Sequence, residues 1–518
     1  MDIDYLLRQP LSGTARFDPD RPALSIGDGE TLTYRDLAGR SRRRSRGLLA
    51  LGVSPGDRVA LMMFNSIDYW VCYFAITRIG AIVVRTNFRL SGEELEFALN
   101  DSGATVAIAD SELLNRVADR RASIGVTTYL CTAPHSDPTV RLLADVDDAS
   151  EGGDAELTTP KPQGDEAAMI MYTSGTTGRP KGAVWTHSAT TWFCAMQVID
   201  WKLEKDTVIF VAGPLYHVGA MEDYSLPTLA VGGHVVFLES GAFDIESALH
   251  IASRRGVTEL TLFPSMIYQM LQLPTLASIN LSRVRRIFTG GDPLLPWAVE
   301  QLQRDFNGVD VIQVYGLTEG TPIAACGGPG DAFADPGSVG RAMAFCELSI
   351  RDDEGEVLAD GEIGEIWTRS PANAREYWNR PEANAETFVD GWCRTGDLGT
   401  VRDGRLTVTG RKKDMIRSGG ENIYAREVED VLMRHPDVID AAAIAVPDPT
   451  YREVVCAVIV RREGSTVTAD EIVAHCTAHM ASYKKPRHVT FVDALPRTPS
   501  QKIQKFKLRE QFAHLGSE

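Results

Sequence analysis

The sequence predicts an α/β protein with a large N-terminal domain of parallel, helix-covered sheets, a small β-barrel-like subdomain and a small α+β C-terminal domain. Short β-rich runs alternate with helix-length segments over about residues 57–316. After residue 337, tight turns separate β-rich segments, and the C-terminal region mixes helices with strands. We therefore expect an N-terminal domain over residues 1–410 and a C-terminal domain over residues 411–518.

The alternating region predicts parallel sheets, because strands joined by helices pair side by side in the same direction. Its candidate strands are residues 58–63, 105–109, 208–212, 234–238, 259–263, 285–289 and 311–315. The turn-rich region has candidate strands at residues 347–351 and 365–368, which predicts a small antiparallel sheet or barrel.

The C-terminal region predicts a small α+β domain. Its expected elements are a helix over residues 425–434 and strands over residues 441–445, 454–460 and 489–492. A second helix is expected to begin at Thr468, where Glu471, three residues later, completes a capping box.

Charge and cysteine content exclude several classes of protein. The chain has 518 residues with 53 basic and 70 acidic side chains, a net charge of −17 that argues against binding to nucleic acid or to an anionic membrane. Eight cysteines without a CxxC pair are typical of a reducing compartment. The most apolar stretch, residues 69–84, is interrupted and too short for a membrane span, so we expect a cytoplasmic protein.

A run of arginines follows Thr33 on an expected helix: Arg40, Arg42, Arg43, Arg44 and Arg46. Such a run suits either a polyanion or partner site, or a helix face that points into water. In an acidic chain we favour the solvated face.

The strongest chemical signal is the segment of residues 172–182, which follows an apolar strand at residues 167–171. Its hydroxyl residues and glycines can turn N–H and OH groups towards a phosphate chain, and its lysine adds a cation. The residues concerned are Thr173, Ser174, Gly175, Thr176, Thr177, Gly178 and Lys181. The segment is not a Walker A loop, since Pro180 stands where glycine is needed. An ordinary surface loop would not explain its length, order and position after a strand.

This segment resembles the phosphate-loop signature of the adenylate-forming superfamily of acyl-CoA synthetases, aryl-CoA ligases, peptide-synthetase adenylation domains and luciferases. Four further segments resemble the superfamily's motifs and occur in the same order: residues 313–319, 392–397, 410–422 and 495–503. The resemblance extends over residues 21–509, and the sequence is most similar to bacterial acyl-CoA synthetases.

The resemblance implies a two-step reaction. ATP and a carboxylic acid give acyl-AMP and pyrophosphate, with Mg²⁺ offsetting the phosphate charge, and the thiol of coenzyme A then displaces AMP. It also implies a mobile C-terminal domain that serves each step in a different orientation. Two alternatives stay open: transfer to a carrier protein, an amine or another nucleophile, and a non-catalytic nucleotide-binding relative. Activation of an oxyacid other than a carboxylic acid is a further possibility.

The resemblance also implies which residues contact the nucleotide. Tyr315 would stack on the adenine ring, and Asp397 would accept the ribose hydroxyls. Glu319, beside Thr318, would supply a hard oxygen to magnesium. Arg411 would reach the nucleotide from the linker. The other adenine-site residues would be Gly291, Asp292, Pro293, Gln313, Val314 and Gly316.

Catalytic and hinge roles come from the C-terminal motifs by the same resemblance. Lys502 would stabilise the charge that builds between the carboxylate and the α-phosphate. Lys413 occupies the hinge position. The face towards the thiol would consist of Ser418, Gly419, Gly420, Glu421 and Asn422.

Three residues depart from the superfamily's usual pattern. Gln501 stands beside Lys502 where glycine is usual, which would cost strain if the backbone there has a positive φ. Ala425 replaces a common proline and Arg452 a common glycine near the thiol face. These departures bear on adenylation efficiency and on the use of coenzyme A.

The acid pocket is expected around the segment of residues 214–224, because residues 214–217 resemble the gate of the acyl pocket. We expect the pocket to include Tyr216, His217, Met221, Glu222 and Asp223. His217 lacks a second ligand at metal-binding spacing, so we interpret it as part of the pocket wall. A buried carboxylate needs a partner. By its resemblance to aryl-CoA synthetases, Asp223 would line the far end of the pocket and predicts an acid with a distal amino or hydroxyl group, such as an aromatic acid, unless Asp223 or Glu222 pairs with a basic residue or caps a helix.

Overall fold

The computed structural model describes residues 18–148, 157, 161–173, 180–241, 243–291, 294–306, 308–497 and 503–517. The chain divides into two compact units, Met1–Leu348 with Trp367–Thr395, and Ser349–Ile366 with Gly396–Glu518. The domain boundary expected after residue 410 stays a prediction.

The first unit contains an eight-stranded sheet. From edge to edge its strands are Glu376–Tyr377, Lys181–Thr186, Ala167–Thr173, Ile82–Arg85, Arg58–Met62, Val106–Ala109, Thr128–Cys131 and Arg141–Leu142. The central strands pair in parallel. The strands Ala167–Thr173 and Lys181–Thr186, which flank residues 174–180, pair antiparallel. The sheet thus confirms the predicted parallel arrangement and adds an antiparallel edge.

A nine-stranded sheet completes the first unit. Its strands, in spatial order, are Arg341–Ala342, Ala325–Cys326, Asp310–Tyr315, Arg286–Gly290, Glu259–Thr261, Val208–Val211, His234–Phe237, Pro22–Ile26 and Thr31–Thr33. The five strands from Asp310–Tyr315 to His234–Phe237 pair in parallel, as expected for strands that alternate with helices. The predicted strands of both sheets are present, with small shifts at their ends.

Helices cover these sheets and build the core with them. The longest are Tyr34–Ala50, Ile67–Arg78, Gly92–Ser102, His187–Trp201, Ile245–Arg255, Pro264–Leu271 and Pro296–Asp305. Shorter ones are Ser111–Asn115, Leu143–Asp148, Leu226–Ala230, Asp331–Ala334 and Pro381–Thr387, with 3₁₀ turns at Ala118–Ser123 and Leu276–Ser278 and a π-helix at Met221–Ser225. Nearly every residue of Ile67–Arg78 is buried, which explains why its sequence is apolar on all sides.

A small five-stranded sheet corresponds to the predicted barrel-like subdomain. Its strands are Glu347–Arg351, Gly364–Arg369, Trp392–Arg402 and Phe388–Val389 in spatial order, with Arg405–Arg411 paired to Trp392–Arg402. Trp392–Arg402 pairs antiparallel with Phe388–Val389 and with Arg405–Arg411, as the turn-rich sequence predicted.

The C-terminal part of the second unit is an α+β fold. Its sheet contains Glu421–Ile423, Ile416–Ser418, Arg452–Arg461, Val438–Asp448 and His488–Phe491. Its helices are Ala425–Leu432, Ala469–His479 and Lys505–Phe512, with 3₁₀ turns at Lys412–Asp414, Ser482–Lys484 and Ala513–Ser517. Alternate residues of the long strands enter two separate apolar clusters, so both faces of the sheet are covered. The capping box of Thr468 and Glu471 is confirmed.

The arginine run contains one residue that contradicts the expectation of a fully solvated face. Arg44 is only 4% exposed and bonds to Asp147 at 2.6 Å and Asp68 at 3.0 Å. Two carboxylates compensate the cost of burying its charge. All eight cysteines are free thiols, and none of the described helices is long and apolar enough to cross a membrane.

Candidate active site

Several predicted site residues lie outside the described residues. They are Ser174, Gly175, Thr176, Thr177, Gly178, Asp292, Pro293 and Lys502, together with Gln501. Their roles stay predictions. The structure does describe the residues at both ends of the phosphate-loop segment, Thr173 and Lys181.

Thr173 and Lys181 face each other across an antiparallel strand pair, where Thr173 contacts Glu319 and Lys181 lies close to Tyr377. The hydroxyl of Thr173 donates to Oε1 of Glu319 at 2.8 Å. The Tyr377 hydroxyl donates to the same oxygen at 3.1 Å, and Nζ of Lys181 lies 5.0 Å from the centre of the Tyr377 ring. The structure thus brings together residues of two predicted motifs, the phosphate-loop segment and the motif that contains Glu319, and adds Tyr377.

Glu319 is suited to bind a cation on a phosphate chain. It is only 9% exposed, and within the described part of the chain its Oε1 accepts hydrogen bonds from Thr173 and Tyr377. Burial, with the Glu319 charge as a second cause, raises the pKa of Tyr377, so its hydroxyl remains a proton donor at neutral pH. No group of three or more acidic, histidine or cysteine side chains in the described residues could form a metal cage. A single hard oxygen fits Mg²⁺, which usually keeps waters and substrate phosphates as its other ligands.

The expected adenine site lies where two parallel strands end. Gly290 pairs with Val314, which brings Gly291 beside the segment that continues through Tyr315. The amide of Gln313 donates to the carbonyl oxygens of Pro336 and Ser338, so Gln313 orders the neighbouring loop.

Two glycines are required here for close packing and for an unusual backbone angle. A Cβ on Gly316 would lie 2.4 Å from the carbonyl oxygen of Thr321, and Gly291 has a φ of +92°. The backbone of Thr318 accepts a hydrogen bond from the Trp185 indole at 2.9 Å. These contacts fix the path of the chain that carries Glu319.

In the second unit, the ribose-site candidate Asp397 pairs with Arg411. Oδ1 of Asp397 lies 2.8 Å from Nε of Arg411, and the two residues are opposite each other in antiparallel strands. Asp397 is 6% exposed. The Asp397 carboxylate can accept hydrogen bonds from two hydroxyls.

The hinge candidate Lys413 lies in a 3₁₀ turn between the strand of Arg411 and the C-terminal sheet. Burial lowers the pKa of Lys413. Arg509 donates to the backbone oxygen of Lys413 at 3.4 Å and to Asp414 at 2.5 Å. Lys412, which was not predicted as a site residue, bonds to Glu365 at 3.1 Å.

The residues expected to face the thiol form a tight hairpin. Ser418 pairs with Glu421, and the turn between them contains Gly419 and Gly420, both with positive φ. A Cβ on Gly419 would lie 2.9 Å from the Tyr451 ring, so glycine is needed there. Arg452, opposite Ser418, has a φ of +70° although it is not glycine.

The expected acid-pocket residues lie on one short stretch of chain. Met221, Glu222 and Asp223 belong to the π-helix Met221–Ser225, an element frequent at functional sites. Tyr216 is 9% exposed and packs edge-on against Phe88, with ring centres 5.3 Å apart.

Glu222 pairs with a basic residue, Arg85, which is one of the alternatives that the sequence left open. Both of its carboxylate oxygens lie 2.6 Å from Nη1 of Arg85, and both side chains have no exposed surface. Burial raises the pKa of Glu222, and the Arg85 guanidinium opposes that rise. Glu222 is therefore a structural partner of Arg85, which corrects the expectation that it lines the acid pocket.

Asp223 is different, because Oδ1 is buried and has no hydrogen-bond partner among the described residues. The side chain is 8% exposed. Burial, followed by the charge of Glu222, raises the pKa of Asp223 well above its usual range. Asp223 is thus a buried acid with a raised pKa and a hydrogen-bonding atom that is unused among the described residues.

Sequence reasoning missed Tyr377 and Arg85. Arg85 ends a strand that is otherwise apolar, and a charged residue in such a strand signals a buried partner. Tyr377 lies in a two-residue edge strand outside every motif, and nothing in the sequence pointed to it.

Comparisons with known proteins identify the family of the chain. The family described as "AMP-binding enzyme" matches residues 11–378, and the family described as "AMP-binding enzyme C-terminal domain" matches residues 427–502. A feruloyl-CoA synthase from Amycolatopsis sp. is 39% identical over 501 residues, which cover 96% of this chain and 97% of that protein.

Two solved structures share the fold over the whole chain. ATP-bound MatB from Rhodopseudomonas palustris has a TM-score of 0.90 and 30% identity, and the match covers 100% of both chains. The anthranilate CoA ligase AuaEII in complex with anthranoyl-AMP has a TM-score of 0.90 and 29% identity, with 100% of this chain and 98% of that chain covered.

Proposed function

Because the chain belongs to the AMP-binding family of adenylate-forming enzymes, we propose that it converts a hydroxyl- or amino-substituted aromatic acid to its coenzyme A thioester. It is an AMP-forming acid–thiol ligase. ATP and the carboxylate give acyl-AMP and pyrophosphate, and the thiol of coenzyme A displaces AMP.

In the adenylation step, the chain's own residues bind and orient the phosphates. Glu319 would hold Mg²⁺, which offsets negative charge on the phosphate chain. Thr173 and Tyr377 both donate to Oε1 of Glu319 and so orient its carboxylate. Lys181 and the segment of residues 174–178 would contact the phosphates, and Lys502 would stabilise the transferring α-phosphate.

For the thiol step, the second unit supplies the remaining candidates. Asp397 would hold the ribose in both steps, with Arg411 as its ion-pair partner. Lys413 would be the pivot. The hairpin of residues 418–422 would face coenzyme A, and its two glycines keep bulky side chains away from the turn.

Asp223 is the observation that supports the substrate class. A buried carboxyl group with one unused oxygen can accept from a substrate hydroxyl or amino group, and its raised pKa favours the protonated form, which can donate to a substrate oxygen. A plain hydrocarbon chain would leave that oxygen unsatisfied, at a cost of about 1–3 kcal/mol. The pocket therefore favours an acid with a distal polar group.

The relatives support an aromatic acid. Feruloyl and anthranoyl groups, named for the Amycolatopsis synthase and for AuaEII, are both substituted aromatic acyl groups. Transfer to a carrier protein, an amine or another nucleophile is not favoured, since the Amycolatopsis protein that is 39% identical to this chain is a feruloyl-CoA synthase.

The substrate proposal is tested by pyrophosphate release. Hydroxy- and amino-substituted benzoates and cinnamates are compared with unsubstituted acids of equal length, each with and without coenzyme A. We expect the substituted acids to have the higher kcat/KM and the thioester to form only with coenzyme A. A preference for unsubstituted acids would contradict the substrate class, and product transfer only to an amine or carrier protein would contradict the acceptor.

Variants of Asp223 test whether this residue causes the preference for substituted acids. Asp223→Ala should reduce the preference for substituted acids by about tenfold, which corresponds to one lost hydrogen bond. Asp223→Asn, of nearly the same shape, should retain part of it. If Asp223→Ala ranks the acids in the same order as the wild type, Asp223 does not recognise the hydroxyl or amino group of the substrate.

We further propose a cytoplasmic location, with the small-molecule acid as the main partner. Eight free thiols, seven of them buried, suit a reducing compartment. A net charge of −17 disfavours nucleic acid as a partner.

A further inference from the structure

A buried ion pair joins the expected acid pocket to the sheet that carries the phosphate-loop segment. Arg85 ends the strand Ile82–Arg85 and lies opposite Met171, two residues before Thr173. Its partner Glu222 lies in the π-helix, and neither side chain has exposed surface. The two residues are 137 positions apart in the sequence.

The same guanidinium also holds the gate segment. Nη2 of Arg85 donates to the backbone oxygens of Leu215 and His217, the latter at 3.1 Å. These two carbonyl groups flank Tyr216, whose ring packs on Phe88. Nη1 binds Glu222, so one planar side chain fixes both the gate segment and the π-helix.

The stability of the fold does not by itself explain a buried ion pair between Arg85 and Glu222. Replacing a buried ion pair by apolar residues of similar volume is often neutral or stabilising, whereas removing one partner is strongly destabilising. The pair therefore has a cost that packing alone would avoid. What an apolar pair would lack is the set of directed bonds from Arg85 to the gate carbonyls.

We propose that Arg85, held by Glu222, is a positioning residue for acid binding. It fixes the carbonyl groups on either side of Tyr216 and, through Glu222, the turn that presents Asp223. Arg85 itself does not touch the substrate. The inference rests on the proposed function, because it assigns the gate segment and Asp223 to the acid pocket.

The decisive variant replaces both partners. Arg85→Met with Glu222→Met leaves no unpaired buried charge, and we expect a folded protein with a melting temperature close to that of the wild type. The KM for the acid should rise about tenfold or more, because a small displacement of binding groups has a large effect. The KM for ATP should stay within about twofold, since the nucleotide residues are untouched.

Two further variants separate positioning from stability. Arg85→Lys keeps the charge but loses the planar fork, so it should also raise the KM for the acid. The matched control replaces another largely buried pair, Arg286→Met with Glu259→Met, whose atoms lie 2.8 Å apart. The control should leave the KM for the acid unchanged.

Each outcome decides the question. A folded double variant with the wild-type KM for the acid would overturn the inference. A double variant that fails to fold, together with a wild-type KM in Arg85→Lys, would assign the pair a purely structural role. If the wild type releases pyrophosphate with no acid of the panel, the proposed function fails and this inference fails with it.

Discussion

Thr173 and Glu319 are joined by a 2.8 Å hydrogen bond between their side chains, although 146 positions separate them in the sequence. The bond connects the start of the phosphate-loop segment, at Thr173, with the motif of residues 313–319, which ends at Glu319. Its geometry places a hydroxyl and a carboxylate of two different motifs beside each other. Tyr377 completes the group by donating to the same carboxylate oxygen.

Tyr377→Phe should impair adenylation while leaving the fold intact. The variant removes a hydrogen bond to a carboxylate, worth about 1.5–3 kcal/mol, which corresponds to roughly tenfold or more in kcat/KM for ATP. Pyrophosphate release as a function of ATP and Mg²⁺ concentration measures the effect. Tyr34→Phe, which removes a buried hydroxyl bonded to the carbonyls of Leu229 and Gly233, is the control. Equal activity in the two variants would argue against the role of Tyr377.

Asp397→Ala should raise the KM for ATP by about tenfold with little change in kcat. Ribose contacts exist in the ground state and in the transition state, so their loss weakens binding uniformly. The variant also leaves Arg411 without its 2.8 Å partner. Asp430→Ala, which removes another ion-paired aspartate of the same unit, should leave the ATP dependence unchanged. An unaltered KM in Asp397→Ala would refute the ribose assignment.

Lys502→Ala should abolish acyl-AMP formation while largely sparing thioester formation from supplied acyl-AMP. The ammonium charge is needed only while charge builds at the α-phosphate. Lys507→Ala is the control, because Lys507 is an exposed lysine of the same C-terminal region. The two half-reactions are measured separately, by pyrophosphate release and by thioester formation. Similar losses in both would exclude the assigned role.

Asp223→Asn should stabilise the protein at neutral pH. Burial, followed by the charge of Glu222, raises the pKa of Asp223, while Arg85 opposes the rise. The folded state therefore retains a proton that the unfolded state releases above about pH 4. The free energy of unfolding of the wild type falls as the pH rises from about 4 towards the raised pKa of the folded state. The melting temperature of the variant should exceed that of the wild type at pH 7, and the difference should shrink towards pH 4. A difference that is constant with pH would contradict a protonated Asp223.

Local patterns in the sequence were sufficient for the fold class. Alternating apolar runs predicted the parallel strands, because strand and helix periodicities depend only on near neighbours. The capping box of Thr468 and Glu471 was readable for the same reason, since its bonds span three residues. The ordered motifs added the family, and with it the identity of Glu319 and Asp397 as candidates.

Long-range pairing decided what the sequence left open. Arg44 lies in a run of arginines that predicted a solvated face, yet Asp68 and Asp147 meet it in the core. For the two adjacent acids, Glu222 and Asp223, the sequence left open which of them pairs with a basic residue. Only the folded chain brings Arg85 to one of them and leaves an oxygen of the other without a partner among the described residues.

The sequence by itself thus determined the order of elements, the reaction family and the residue types available for chemistry. The tertiary structure decided which of those residues lie together and which of them have an ion-pair partner. The physical reason is that periodicity and capping act within a few residues, whereas burial and ion pairing depend on neighbours that only folding brings into contact. Glu222 and Asp223, adjacent in the chain but different in their partners, depend on that second kind of information.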